Sequence, residues 1–273
     1  SIVLQEMDDH PMVSSQAVQD DYFLFRAVSA VQTSTKYLAD FLRELNPYVY
    51  LFENQLEVLP ERRSYDVRAD RVTIFFGALN RRKDWEPLIP AINNAIRRHG
   101  DRLYFHVVSD HEFYQALETA AKEFTGGTQD GDIVVPYEMY TAALHASDIA
   151  LLPLDDTPFH RRKSDLKFLE CAGNGVVALA SPVVYGDTVA DGRTGMIFRN
   201  GEEFSEKLVR LIEDRALRRR IAAAAYDYVK ENRLLSAHYE ERVQFYRSLA
   251  AQKAALDEQL RTRLDVWKRQ VGA

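Results

Sequence analysis

The chain has 273 residues, 46% of them hydrophobic and 28% charged, enough length and apolar content to bury the cores of one large or two modest domains. A net charge of −6 argues against a general nucleic-acid binder, and no apolar run approaches the roughly 20 residues that a membrane span needs. Cys171 is the only cysteine, which excludes intrachain disulfides and thiolate metal sites and fits a reducing cytosol.

Residues 1–10 carry acids and no basic n-region, so they do not read as a signal peptide. They read instead as a strand over 2–6, consistent with a cut point within a longer chain. Residues 30–32 and 49–52 are further strand candidates, with Ser34 placed to cap a helix running to Leu45. One strand–helix–strand unit with a leading strand is little for a domain. Either it leans on a larger sheet, or the rest of its domain lies upstream of Ser1. The expected organisation is a partial α/β segment over 1–62 and a polar linker over 63–70. A nucleotide-binding domain over 71–235 and a long helix over 236–273 follow.

From Val72 onward, short apolar runs alternate with helical patterns. Strands are expected at 72–76, 103–108, 133–135, 149–152 and 176–180. Helices are expected at 85–98, 111–124, 137–145 and 165–172, the last closed by Asn174-Gly175. This alternation predicts a doubly wound parallel sheet with ligands at the C-terminal strand ends. Residues 202–213 and 217–229 are amphipathic, and 239–267 contain neither Gly nor Pro. Leu249, Leu256, Leu260, Leu264 and Trp267 mark one side of that last stretch.

The most informative segment runs from Pro153 to Gly175, and from His160 onward it reads HRRKSDLKFLECAGNG. His160, Arg161, Arg162 and Lys163 end a polar loop, Ser164 is placed to cap the next helix, and Lys167 lies in its first turn. A lysine there opposes the helix dipole. Cations stacked where backbone N–H groups also point outward suit an anion, here a phosphate or diphosphate. Glu170, one turn on, would accept hydrogen bonds from ribose hydroxyls. The plain alternative is a solvated basic loop with a surface Lys–Glu pair. Asp110-His111 sits at a strand end and reads either as a helix-capping pair or as a ligand contact. Asp8-Asp9-His10 reads as an acceptor-facing loop or a solvated turn. Asp155-Asp156 lies in a Pro-bounded loop that does not suit a metal site, Tyr137 packs in the core or near a base, and Cys171 is a small core residue.

Residues 72–249 resemble the C-terminal, donor-binding domain of GT-B-fold glycosyltransferases of the family 4 type. Phe76-Gly77-Ala78-Leu79-Asn80-Arg81-Arg82-Lys83 resembles that family's glycine turn and phosphate-contacting lysine. Ser164-Asp165-Leu166-Lys167-Phe168-Leu169-Glu170 resembles an S-x-x-K-x-x-E donor helix, and Asp191-Gly192-Arg193-Thr194-Gly195 resembles the "DGxTG" turn. The resemblance implies a Rossmann-like fold and a metal-independent, retaining transfer without a cofactor. The sugar would pass from a nucleoside-diphosphate donor to a glycan or lipid-linked glycan. It places Gly77, Asn80, Arg81, Lys83, Asp110, His160, Arg162, Lys163, Ser164, Lys167 and Glu170 at the donor. Lys83 and the cations around Lys163 would hold the diphosphate and Glu170 the ribose. Cations aimed at the leaving diphosphate act on the transition state more than on the ground state. The sequence departs from the family twice. Arg162 stands where many members have a sugar-contacting glutamate, and Ala78 stands where an arginine is usual, a role left to Arg81, Arg82 or Lys163. A non-catalytic GT-B-like domain that binds a nucleotide or a partner is the alternative. A nucleotide-dependent oxidoreductase is disfavoured because no G-x-G-x-x-G follows any strand.

Overall fold

The computed structural model describes residues 1–9, 11, 15–64, 70–126 and 135–271, and divides them into two compact units. One unit comprises Ser1–Gln55, Thr157–Ser164 and Leu235–Ala273; the other comprises Leu56–Asp156 and Asp165–Leu234.

The first unit opens with β1 (Leu4–Met7), α1 (Ser15–Gln19), α2 (Phe23–Arg26), β2 (Ala30–Thr33), α3 (Lys36–Arg43) and β3 (Val49–Leu51). Its strands form a parallel sheet of their own in the order β1-β2-β3, with Leu4 opposite Ala30 and Val31 opposite Val49. The helix expected to start at Ser34 is capped instead by Thr35, whose Oγ1 accepts from the Leu38 N–H at 3.2 Å. Ser34 Oγ donates to Asp8 Oδ1, so the hydroxyl needed for capping is engaged across the sheet.

The second unit is built on β4 (Val72–Gly77), α4 (Arg82–Trp85), α5 (Ile89–His99), β5 (Leu103–Val108), α6 (His111–Ala116) and β6 (Lys122–Thr125). It continues through α7 (Tyr137–His145), β7 (Ile149–Leu152), α8 (Leu166–Gly173), β8 (Val177–Ala180), the kinked turn α9 (Pro182–Tyr185), β9 (Met196–Ile197), α10 (Gly201–Glu213) and α11 (Arg215–Asn232). All six strands are parallel, in the order β6-β5-β4-β7-β8-β9. β4, β7 and β8 are buried along their whole length, which is why VTIFFG, IALL and VALA read as unbroken runs and not as alternation. Side chains alternate between two cores. Ile74, Phe105, Leu151 and Leu179 pack on one face with α5, α10 and the start of α11, and Phe75, Ala150 and Ala178 pack on the other with Phe168 and Leu169 of α8. The doubly wound parallel sheet is the architecture the alternation predicts.

The helix expected over 111–124 stops at Ala116, and 122–125 become edge strand β6. Lys122 Nζ donates to the carbonyls of Tyr114 and Leu117 at 2.8 Å each and so closes the helix end. Asn93 donates to the Ala116 carbonyl and accepts from the Glu118 N–H, and pairing with β5 overrides a helix-forming composition. Of the strand expected at 133–135, positions 133 and 134 lie outside the described residues, as do 65–69 of the expected linker and His10; Val135 lies in no element. Just before those linker positions, Arg62 pairs with Asp227, Arg63 donates to Ser147 O and Asp148, and Tyr226 Oη donates to Pro60 O, so 60–63 run as a strap on the second unit.

In the first unit the C-terminal stretch forms two helices, α12 (Leu235–Ala251) and α13 (Lys253–Val271), in place of one. The Gln252 N–H bonds both Ser248 O and Leu249 O, which tightens the joint. The bend lets Phe245, Leu249 and Leu256 pack with Ala30 and Phe52. Further along, Arg263 donates to Arg26 O and Val28 O, and Trp267 Nε1 to Asp21.

Candidate functional site

In the second unit the sheet order reverses between β4 and β7, so the crevice for a ligand lies outside their C-terminal ends, at Gly77 and Leu152. Gly77 is there for space. A Cβ would stand 2.5 Å from the Phe75 ring and 3.0 Å from the Tyr140 ring, and Phe75 is buried. Asn80, exposed with φ 56°, turns the chain into α4. Asp84, a residue the sequence reading passes over, accepts the Asp155 N–H at 2.9 Å and so ties the loop after β4 to the loop after β7. Arg81 lies 3.7 Å from Asp84 and is half-buried, whereas Arg82 is exposed and paired with Glu86. Lys83 is exposed on α4.

Helix α8 brings two expected residues to this crevice. Lys167 Nζ donates to the Gly77 carbonyl at the end of β4. Glu170 is buried and accepts from Tyr140 Oη at 3.0 Å and from Tyr137 Oη at 3.2 Å. Burial raises the Glu170 carboxyl above its ordinary value, and the two tyrosine bonds and the Lys167 charge only partly offset this. The same burial and the carboxylate push the Tyr137 phenol up to about 12 and raise Tyr140. The tyrosines therefore stay neutral donors to a carboxylate that is costly to ionise. Tyr137 keeps an exposed ring parallel to that of Tyr140, a position neither deep in the core nor free.

The expected Ser164 cap of α8 is absent. The N-cap residue is Asp165, and it makes no side-chain cap bond either. Its carboxylate is held by both Nη atoms of Arg233, at 2.8 and 2.9 Å, and by Thr188 Oγ1 at 2.8 Å. Asp110 caps α6 through the Phe113 N–H at 2.9 Å and accepts from Trp85 Nε1 at 3.0 Å, the capping arrangement. The turn after β8 holds Val184 at φ 75°, ψ −48°, a strained conformation for a β-branched residue and one that no local pattern announces. Asp191 of the DGxTG turn accepts from the Ile197 N–H and Lys207, and Gly192 adopts φ 74°, so that motif works as a built turn. Cys171 is fully buried, and burial raises its thiol far above the ordinary value.

The first unit holds the other expected residues. His160 lies in a 3-10 turn, its N–H bonded to Thr157 Oγ1. The Arg162 guanidinium lies 5.2 Å from the centre of the Phe41 ring, and its carbonyl accepts from Thr35. Lys163 pairs with Asp9 at 3.0 Å, and Ser164 Oγ accepts from Asn54, which also donates to Asp8. Asp8 and Asp9 thus belong to a polar network at the C-terminal ends of β1–β3, and not to a plain solvated turn.

Among the described residues no three His, Cys, Asp or Glu side chains are grouped to hold a metal, and no helix is long and apolar enough to cross a membrane.

A parallel sheet whose order reverses between β4 and β7, with helices on both faces, belongs to the doubly wound α/β class. A family model described as glycosyl transferase-like matches residues 89–248, more than half of the chain, and the chain belongs to that family. No curated protein matches it by sequence. Its fold is that of the GT-B glycosyltransferases. HepE of Anabaena, crystallised with UDP-glucose, aligns at a TM-score of 0.68 and 14% identity over 91% of this chain and 72% of its own. TarM of S. aureus aligns at 0.65 and 12% over 89% and 50%, and a Rickettsia africae glycosyltransferase at 0.62 and 15% over 90% and 70%. The chain spans about half the length of TarM.

Proposed function

We propose that the chain carries the donor-binding part of a glycosyltransferase that moves a sugar from a nucleoside diphosphate to a glycan or lipid-linked glycan. On this reading the transfer is metal-independent and retaining and takes place in the cytoplasm. The observation that carries it is the α8 pair at the switch point of the second unit, where Lys167 points to the end of β4 and Glu170 lies buried beneath Tyr137 and Tyr140. A ribose diol would give the Glu170 carboxylate further donors and relieve its desolvation, and Lys167 and Arg81 would meet the diphosphate. UDP is named in the structures of HepE and TarM and is the first probe to use.

The test is calorimetric titration of UDP with and without EDTA. Binding that survives chelation supports the reading, and so does loss of affinity in Glu170→Ala greater than in Glu170→Gln. Equal affinities in all three proteins remove Glu170 from the site. Retention is read separately from the anomeric configuration of the transferred sugar by NMR.

One observation favours the non-catalytic alternative. Arg162 and Lys163, two cations expected at the diphosphate, are engaged by Phe41 and Asp9 within the first unit. UDP binding with no turnover of any UDP-sugar, including hydrolysis, would decide for that alternative.

A further inference from the structure

Glu170 is only 8% exposed, and each of its carboxylate oxygens is claimed by a different tyrosine. Oε2 accepts from Tyr140 Oη at 3.0 Å, and Oε1 accepts from Tyr137 Oη at 3.2 Å. Both tyrosines stand in the first turn of α7, three residues apart, so they reach α8 from one helix face with rings nearly parallel. They are not equally fixed. The Tyr140 ring lies edge-on to the buried Phe75 ring at 5.4 Å, and a Cβ at Gly77 would stand 3.0 Å from it. It is held between β4 and the carboxylate. Tyr137 is 60% exposed, and the longer of the two bonds, made by the phenol at the far end of its ring, ties it to Oε1.

A buried carboxylate oxygen without a donor is costly, so the Tyr137 phenol stabilises the unliganded protein. The same bond opposes a ligand that needs Oε1. A phenol and a sugar hydroxyl each bring one O–H donor, so exchanging one for the other leaves the number of bonds to the carboxylate unchanged. The net gain from that ligand hydroxyl is then small. Tyr140, pinned against β4, stays with the carboxylate in both states and takes no part in the exchange.

We propose that Tyr137 is a displaceable cover on the donor site: without ligand, its phenol holds the place on Glu170 Oε1 that a ribose hydroxyl takes when the nucleotide binds. The proposal rests on the reading of Glu170 as the ribose contact. The test is calorimetric titration of UDP, 2′-deoxy-UDP and 3′-deoxy-UDP into the full chain at about pH 8, above the ordinary carboxyl range. Tyr137→Phe, Tyr140→Phe and Glu170→Ala are measured beside the parent. Tyr137→Phe removes the competing hydroxyl and should bind UDP more tightly by about threefold or more. Tyr140→Phe should show no such gain. The loss caused by at least one missing ribose hydroxyl should also be larger in Tyr137→Phe than in the parent, because the phenol can no longer return to Oε1. A ring with only a packing role would shift all three ligands by one common factor. UDP binding that needs Glu170 but is unchanged or weakened in Tyr137→Phe overturns this proposal alone, and so does an equal gain in Tyr140→Phe. No binding by the parent, or affinity indifferent to Glu170→Ala, removes the donor-site reading and the proposal with it. If Tyr140→Phe does not fold, the deoxynucleotide comparison between Tyr137→Phe and the parent decides.

Discussion

Arg233→Ala should destabilise the second unit far more than the loss of any of its surface ion pairs. The Arg233 and Asp165 side chains are only 6% and 12% exposed, and they meet as a two-bond fork. Burial alone would lower the arginine, yet it is raised, because the Asp165 hydrogen bonds and charge outweigh the desolvation. Removing the arginine leaves the Asp165 carboxylate buried with only Thr188 as a donor, and an orphaned buried charge costs about 3–5 kcal/mol. For a unit of this size about 2–4 °C accompanies each kcal/mol, so the melting point should fall by about 6–20 °C. Arg233→Lys, which keeps the charge but not the fork, should lose less, and Asp165→Asn in the Arg233→Ala background should recover part of the loss. The assay is urea unfolding followed by tryptophan fluorescence in a Trp267→Phe background, where Trp85, buried in the second unit, is the sole tryptophan. A loss below about 1 kcal/mol would place the pair among surface ion pairs and refute the reasoning. It would also leave the start of α8, and with it Lys167 and Glu170, without its anchor.

Glu170→Gln should flatten the pH dependence of stability. Because the folded value is raised above the ordinary 4.5, the native state binds the proton more tightly. Glu170's own contribution to parent stability is therefore fully present below 4.5 and is lost as pH rises through the folded value. The melting-point difference between parent and variant, followed from about pH 4 to 8, should move in the variant's favour; a constant difference counts against a raised carboxyl. Lys167→Ala should weaken UDP at least tenfold and uridine less than twofold by calorimetry, since a charge-assisted bond is worth about 1.5–3 kcal/mol; equal losses would assign Lys167 to the nucleoside. Gly77→Ala should destabilise by about 1–3 kcal/mol in urea, because its Cβ meets the buried Phe75 ring at 2.5 Å; a neutral result would mean that the ring shifts freely. Cys171 should resist a thiol reagent in the native protein and react fully in urea, and prompt native labelling would contradict its burial.

The local sequence determines much of the second unit. Strands β4, β5, β7 and β8 follow from short apolar runs, and α5, α7, α8, α10 and α11 from helical periodicity. Lys167 and Glu170 are legible as a pair one turn apart. Their partners are not, because Gly77, Tyr137 and Tyr140 lie 30 to 90 positions away and reach α8 only through the stacking of sheet and helices. For the same reason local chemistry misplaces the caps. Ser34 and Ser164 have the right hydroxyls, but Asp8 and Asn54 claim them from distant segments, and Thr35 takes over one of the two helices. Residues 122–125 and the joint at Gln252 mark the limit. In both, helix-forming composition fixes a local preference worth about tenths of a kcal/mol per residue, and only the closed tertiary structure supplies the larger gain that overrules it: a strand partner in β5 for one, a shared core with Ala30 and Phe52 for the other.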